Sequence, residues 1–381
     1  MALDSWRGIA ALFVAAFHVG PVGHLQDLSL LRQAYYFVDL FFVLSGFVIA
    51  ANYGTRLTDL ASVRGFLLLR LGRLYPLHFA LFMAFLGLEL LKFLPVFGNV
   101  IMQQPFSTPE TAPETIFTNL LLVHSLGAHD FYTWNTPSWS ISTEFYTYVL
   151  FAIALLVFRK RVVWFLSAVV LISPVALFGL HGSLAAGYDY GLIRCVFGFA
   201  AGVLAWRLYL ICHRRWGEVP LPWMIASLLE TVAVCLSILA ISMTTVKDFS
   251  FVLPYLFALA IVLFAFEGGA VSQLLKHRWP IALGMLSYSV YMTHMLVKRL
   301  LLKAADVVER YSDIELVQNL PGTRVIGTEL WQGDVYLLTY LCVVITLSFF
   351  TYRFIEQPAR SWSRSLVLGR GPARQYAEGE A

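Results

Sequence analysis

Charge is what this sequence has least of. Only 13% of its 381 residues are Asp, Glu, Lys or Arg, against roughly 25% in soluble domains, which excludes an ordinary water-soluble globular protein. Cysteine is also sparse. Cys195, Cys212, Cys235 and Cys342 are dispersed in or beside apolar stretches, with neither a disulfide framework nor the spacing of a metal site, so no metal is expected. No internal repeat and no soluble domain are visible. The first apolar run has no basic region ahead of it, so no cleaved signal peptide is expected and Met1 onward reads as mature chain.

What the chain has in abundance is hydrophobic length. Apolar residues make up 59% and mean hydropathy is +0.72. Runs of about 20 apolar residues recur along the chain, the length a helix needs to cross a bilayer, and they are too long for barrel strands. The expected fold class is all-α, a polytopic transmembrane helical bundle with the lipid bilayer as its surroundings. Spans are expected at 6–23, 34–53, 73–95, 140–158, 162–180, 189–211, 221–243, 250–268, 280–302 and 333–353.

An even number of crossings puts both termini on one side. The layout places most of the 27 Lys and Arg on that side, which makes it cytoplasmic by the positive-inside rule. The net charge of +4 is therefore a topology signal, and no nucleic-acid partner is expected. The segment 116–126, about half a span long, reads as a re-entrant or interfacial helix. The outer loops 96–115 and 304–332 are the natural grip for an external substrate. Residues 1–360 form the membrane domain, and 361–381 read as a short, polar, disordered cytoplasmic tail.

Several ionisable residues stand inside these apolar runs, where they are costly and mark function by default. The first run, 3–20, holds Arg7 and His18 with ten residues between them, so the two share a helix face about 16 Å apart along the axis. His18 is suited to general base work. The alternative is a histidine that ties helices together. In the second run, Asp39 either orients a histidine in the manner of a base and its carboxylate or caps the outer end of its helix.

Arg70 and Arg73 share a face at a helix start by the cytoplasm. They either offer a donor fork to phosphate or serve topology alone. Glu144, with Ser140 and Tyr148 one turn either side, needs a partner, and His18 is one candidate. Ser287, Tyr291 and His294 form one stripe in an apolar helix, lining either a core or a reaction path. Arg194 and Asp189 are candidates for a local pair, and Trp134, Asn135, Pro137 and Trp139 look like a structured outer loop.

Six blocks occur in order: LDSWRGIAALFVAAFH, VDLFFVLSGFVI, RLGRLYP, WSISTEFYTY, LGMLSYSVYMTHM and RFIEQPAR. Together they resemble acyltransferase family 3, the integral-membrane O-acyltransferases that modify bacterial O-antigen, exopolysaccharide, peptidoglycan, Nod factors and some antibiotics. The resemblance runs from Leu3 to Arg360 and places the family's R-x10-H motif on Arg7 and His18 and its R-x-x-R motif on Arg70 and Arg73. It implies His18 as catalytic base and the arginines as holders of cytosolic acyl-CoA. It also implies that Glu144 and the Ser287, Tyr288, Tyr291 and His294 block belong to the functional core.

Some members carry a C-terminal periplasmic hydrolase-like domain, which this chain does not reach, so a stand-alone enzyme or one with a separate partner is expected. The short lead before Arg7 leaves room for a start upstream of Met1. The implied function is transfer of a short acyl group, acetyl first, from acyl-CoA to a sugar hydroxyl of a cell-surface or exported glycan or glycolipid at the bacterial inner membrane. No permanently bound cofactor is expected, and a glycan-assembly complex is a candidate partner. Asp39 or Glu144 would steer His18, and Tyr291 or Ser287, with Trp139 nearby, would meet substrate or oxyanion. The rival readings are a proton-coupled transporter or exporter of glycan intermediates, in which the same buried groups relay protons, and a structural scaffold for glycan assembly.

Overall fold

The computed structural model describes residues 1–20, 22–94, 104–217, 221–244, 247–312, 314–320 and 323–369. Parts of both expected outer loops (95–103, 313 and 321–322) and the tail from 370 lie outside the described residues.

The chain is a bundle of helices: α1 (Ala2–Phe17), α2 (Phe37–Tyr53), α3 (Leu60–Leu91), α4 (Glu114–Leu120), α5 (Ser138–Phe158), α6 (Val162–His181), α7 (Gly191–Trp216), α8 (Trp223–Ser242), α9 (Leu253–Ala265), α10 (Arg278–Tyr311), α11 (Leu330–Thr351) and α12 (Gln357–Leu368). One antiparallel hairpin, β1 (Val317–Leu320) with β2 (Thr323–Ile326), follows α10. Each of the ten segments read as a span carries a helix. Among the described residues, seven helical stretches are long and apolar enough to cross a bilayer, the longest being Ser138–His181, which contains α5 and α6.

Three boundaries differ from the sequence reading, each through local chemistry. α3 begins at Leu60 because Asp59 and Ser62 form a capping box: the Asp59 side chain accepts from the Ser62 amide at 2.8 Å and Ser62 Oγ accepts from the Asp59 amide at 3.2 Å. At 32 residues α3 is about 48 Å long, well beyond the hydrocarbon thickness of about 30 Å. Arg70 and Arg73 therefore stand in its interior and not at a helix start, and Pro76 lies further inside the helix. α1 ends at Phe17, so His18 is the residue that closes the helix instead of lying within a longer span. Residues 357–368 are helical, so the expected disorder from Ser361 does not hold over the described part of the tail. A single π turn, Tyr352–Glu356, carries α11 into α12, which lies along the start of α3, with Ser363 against Gly72 and Val367 near Gly65.

Two glycine-floored crossings set the bundle. Gly8 of α1 abuts Leu283 and Gly284 of α10, and a Cβ on either glycine would overlap the facing backbone. His18 meets His294 further along the same two helices, so α1 and α10 run parallel. Gly46 of α2 rests on Phe199, and Gly202 of α7 rests on Val43 and Phe47. Small residues let helix backbones approach this closely in membranes, where packing and not water drives association.

Candidate active site

A cavity open to solvent lies between α1, α2, α3, α5 and α10. Its charged lining is Arg7 from α1, Arg70 and Arg73 from α3, and Glu144 from α5; Ser45, Ser140, Tyr148, Ser287, Tyr288 and Tyr291 line it too. Arg70 is 3% exposed, donates to Tyr53 Oη at 3.3 Å and lies over the Tyr53 ring at 5.3 Å. Arg7 and Arg73 make no hydrogen bond or ion pair among the described residues. Glu144 accepts from Tyr148 Oη at 2.6 Å, and that hydroxyl in turn pairs with Ser45 Oγ at 2.9 Å. Three guanidinium groups thus share one cavity with one lining carboxylate, which leaves the cavity short of negative charge.

Arg73 has a second acidic neighbour that the sequence reading passed over. Glu356, 3% exposed at the π turn, accepts from Ser289 Oγ at 3.1 Å and stands 3.8 Å from Arg360. Arg73 and Arg360 are its leading charged neighbours. The signal in the sequence is an acid in an otherwise basic and apolar block, RFIEQPAR.

His18 lies about 16 Å along α1 from Arg7. Its Nδ1 donates to the Val14 carbonyl at 2.9 Å, which leaves Nε2 as the proton acceptor. Its ring is 4.9 Å from Phe17 and 4.9 Å from His294. His294 is fully buried, and both its ring nitrogens lack a hydrogen-bond partner among the described residues. Tyr291 joins the two regions: it lines the arginine cavity and its ring is 5.9 Å from His294. Its hydroxyl is already engaged, with Ser140 Oγ at 2.8 Å and the Pro137 carbonyl at 3.2 Å. Tyr288 donates to the Leu74 carbonyl at 2.5 Å and so pins α10 to α3. Ser287 keeps its hydroxyl without a hydrogen bond among the described residues.

Three residues read as site candidates have other occupations. Asp39 does not orient a histidine. Both its oxygens are held by Arg194, Oδ1 to Nε at 2.9 Å and Oδ2 to Nη2 at 2.7 Å, in a pair no more than 2% exposed. The bidentate fork commits one lone pair of each oxygen to the guanidinium and fixes the carboxylate's orientation on α7. Trp139 stacks over that same guanidinium, 5.3 Å away, with Tyr36 at 5.8 Å, and so packs the ion pair. Glu144 shares its cavity with the arginines, whereas the side chains against His18 are Phe17 and His294. The expected Arg194–Asp189 pair does not form either: Asp189 faces His181 at 3.8 Å and the Gly187 amide at 3.3 Å.

The short helix α4 and the residues after it are tied to α3 and α5 by polar bonds to their backbone. Tyr75 Oη and His78 Nε2 donate to the Leu120 and Asn119 carbonyls at 2.9 and 3.0 Å, and Ser142 Oγ donates to the Leu122 carbonyl at 2.5 Å. These bonds satisfy carbonyls at the C-terminal end of a seven-residue helix too short to cross a bilayer.

Over 77 residues the chain is 44% identical to protein 2 in the picA locus of Rhizobium radiobacter, covering 20% of this chain and 38% of that protein. Over 180 residues it is 30% identical to the acyltransferase MdmB of Streptomyces mycarofaciens, covering 44% of this chain and 42% of that one. The chain thus spans about two fifths of the length of these curated relatives. No solved structure matches it. The family described as acyltransferase domain, type 3, matches residues 2–353. Nearly the whole chain, including the arginine cavity and the His18–His294 contact, is therefore covered by that match, and the protein belongs to acyltransferase family 3.

Proposed function

We propose that the chain is an O-acyltransferase of the bacterial inner membrane, with ten crossings and both termini in the cytoplasm. It moves an acetyl group from cytosolic acetyl-CoA to a sugar hydroxyl of a cell-surface or exported glycan. The observation that carries this reading is the pairing of one anion-hungry cavity, with Arg7 and Arg73 unpartnered, with an imidazole whose Nε2 is free about 16 Å further along the same helix. Phosphates of the donor would sit on the arginines, and an extended arm such as pantetheine would carry the thioester past Ser287 and Tyr291 to His18.

In this reading His18 Nε2 takes the proton of the acceptor hydroxyl as its oxygen attacks the thioester carbonyl. The tetrahedral intermediate collapses, the carbon–sulfur bond breaks, and the CoA sulfur leaves with the proton returned by His18. The Val14 carbonyl holds the tautomer that this requires. Glu144, held by Tyr148, balances and places the arginines.

The test is mass spectrometry of total cell glycan in a deletion strain complemented with wild type, His18→Ala, or Arg70→Ala/Arg73→Ala at matched membrane levels. Wild type restores one acetyl mass, and the variants do not. Full restoration by His18→Ala would sink the reading.

A further inference from the structure

The surroundings of His18 are unusual for a base in a membrane protein, because α10, which meets it through His294 at 4.9 Å, carries a cation one turn further on. Lys298 stands one turn beyond His294 on the same face of α10, and it is the charged neighbour that both His18 and His294 feel. Lys298 makes no hydrogen bond or ion pair among the described residues, although it is largely withdrawn from solvent. His294 adds two ring nitrogens, fully buried and equally without partners. A desolvated ammonium with no counter-charge is costly. A histidine buried with both nitrogens unsatisfied adds to that cost, since native structures leave few such groups. Two such neighbours on one helix face, next to the base, describe a site built for an anionic ligand.

The arginine cavity is a separate anion site about three turns away along α1, so this second one is left for the other substrate. We propose that Lys298, with His294, is an anion-binding subsite for the acceptor, and that the acylated sugar carries a carboxylate or phosphate beside the reacting hydroxyl. The inference rests on the reading of His18 as the base that meets the acceptor. An anion seated there also supplies the counter-charge that Lys298 lacks, so binding strength comes from the one group the free protein leaves unpaired. The β1–β2 hairpin closes this end of the bundle, with Val325 packed on Gly20, two residues from His18.

The experiment is isothermal titration calorimetry of the full chain in detergent, at saturating CoA so that the arginine cavity is filled, with glucose, glucuronate and glucose 1-phosphate as probes. At least one anionic sugar binds ten-fold or more tightly than glucose, the tighter of the two naming the charged group. Lys298→Gln brings the anionic sugars to the level of glucose, and Lys298→Arg keeps most of the preference. Equal affinities, no binding by any probe, or a preference that survives Lys298→Gln overturns the proposal. So does a Lys298→Gln chain whose sugar affinities match wild type while turnover falls, which would place the ammonium at the transition state instead. The wild-type comparison decides even if a variant fails to fold. Because the readout is binding, it stands or falls apart from the acetyl-transfer test.

Discussion

Arg194→Met strands the Asp39 carboxylate, and the cost can be worked from the geometry. Arg194 gives Asp39 two charge-assisted bonds, at 2.9 and 2.7 Å, and a third to the Ala186 carbonyl at 3.0 Å, all within side chains 2% exposed or less. Removing one partner from such a pair costs about 3–5 kcal/mol, because the remaining charge has no compensation, whereas replacing both by apolar residues of similar volume is often neutral or stabilising. Asp39→Leu alone and Arg194→Met alone should each lower the melting temperature markedly, while Asp39→Leu/Arg194→Met should return close to wild type. The double-mutant cycle then shows a coupling of about 3 kcal/mol or more. The assay is thermal unfolding of detergent-purified protein, followed by acetyl-CoA turnover per folded molecule. If Asp39 is structural, the double variant recovers turnover along with its melting temperature. A double variant that melts like wild type and turns over nothing would return Asp39 to the chemistry and refute the reasoning.

Arg7→Gln and Arg73→Gln each delete an unpartnered cation from the cavity; a hydrogen bond to a charged group contributes about 1.5–3 kcal/mol, so steady-state kinetics should show KM for acetyl-CoA at least ten-fold higher with a smaller change in kcat. Gly284→Val drives a side chain into the backbone of Asp4 and Ser5, and overpacking of this kind costs about 1–3 kcal/mol; a lower melting temperature should accompany lost turnover, since α1 carries His18. Tyr75→Phe removes one bond to the Leu120 carbonyl, for about 0.5–1.5 kcal/mol; limited proteolysis should cut residues 114–126 faster, with turnover little changed. His18→Ala should lower the chemical step by about 100- to 10,000-fold, measured as single-turnover acetyl transfer on protein of unchanged melting temperature.

The sequence by itself determined the solvent and the fold class. Scarce charge and repeated long apolar runs leave helices as the chain's answer to lipid, and each of the ten runs carries one. It also singled out the arginines and His18 as candidates for function, since an ionisable group in an apolar run is costly wherever the helix packs. Local chemistry that was legible but passed over fixed the start of α3, where Asp59 and Ser62 are spaced as a capping box. Partner choice was the part only tertiary structure decided. Asp39 and Arg194 are 155 residues apart, and nothing near either residue says that the carboxylate will be spent on that guanidinium rather than on His18. His294 and Lys298 share a stripe in the sequence, yet their meaning comes from α1 running parallel to α10 at the Gly8–Gly284 crossing, which brings His18 beside them. Helix periodicity sets which residues share a face. Which faces meet depends on close-packed contacts summed over the whole bundle, and no local pattern encodes that sum.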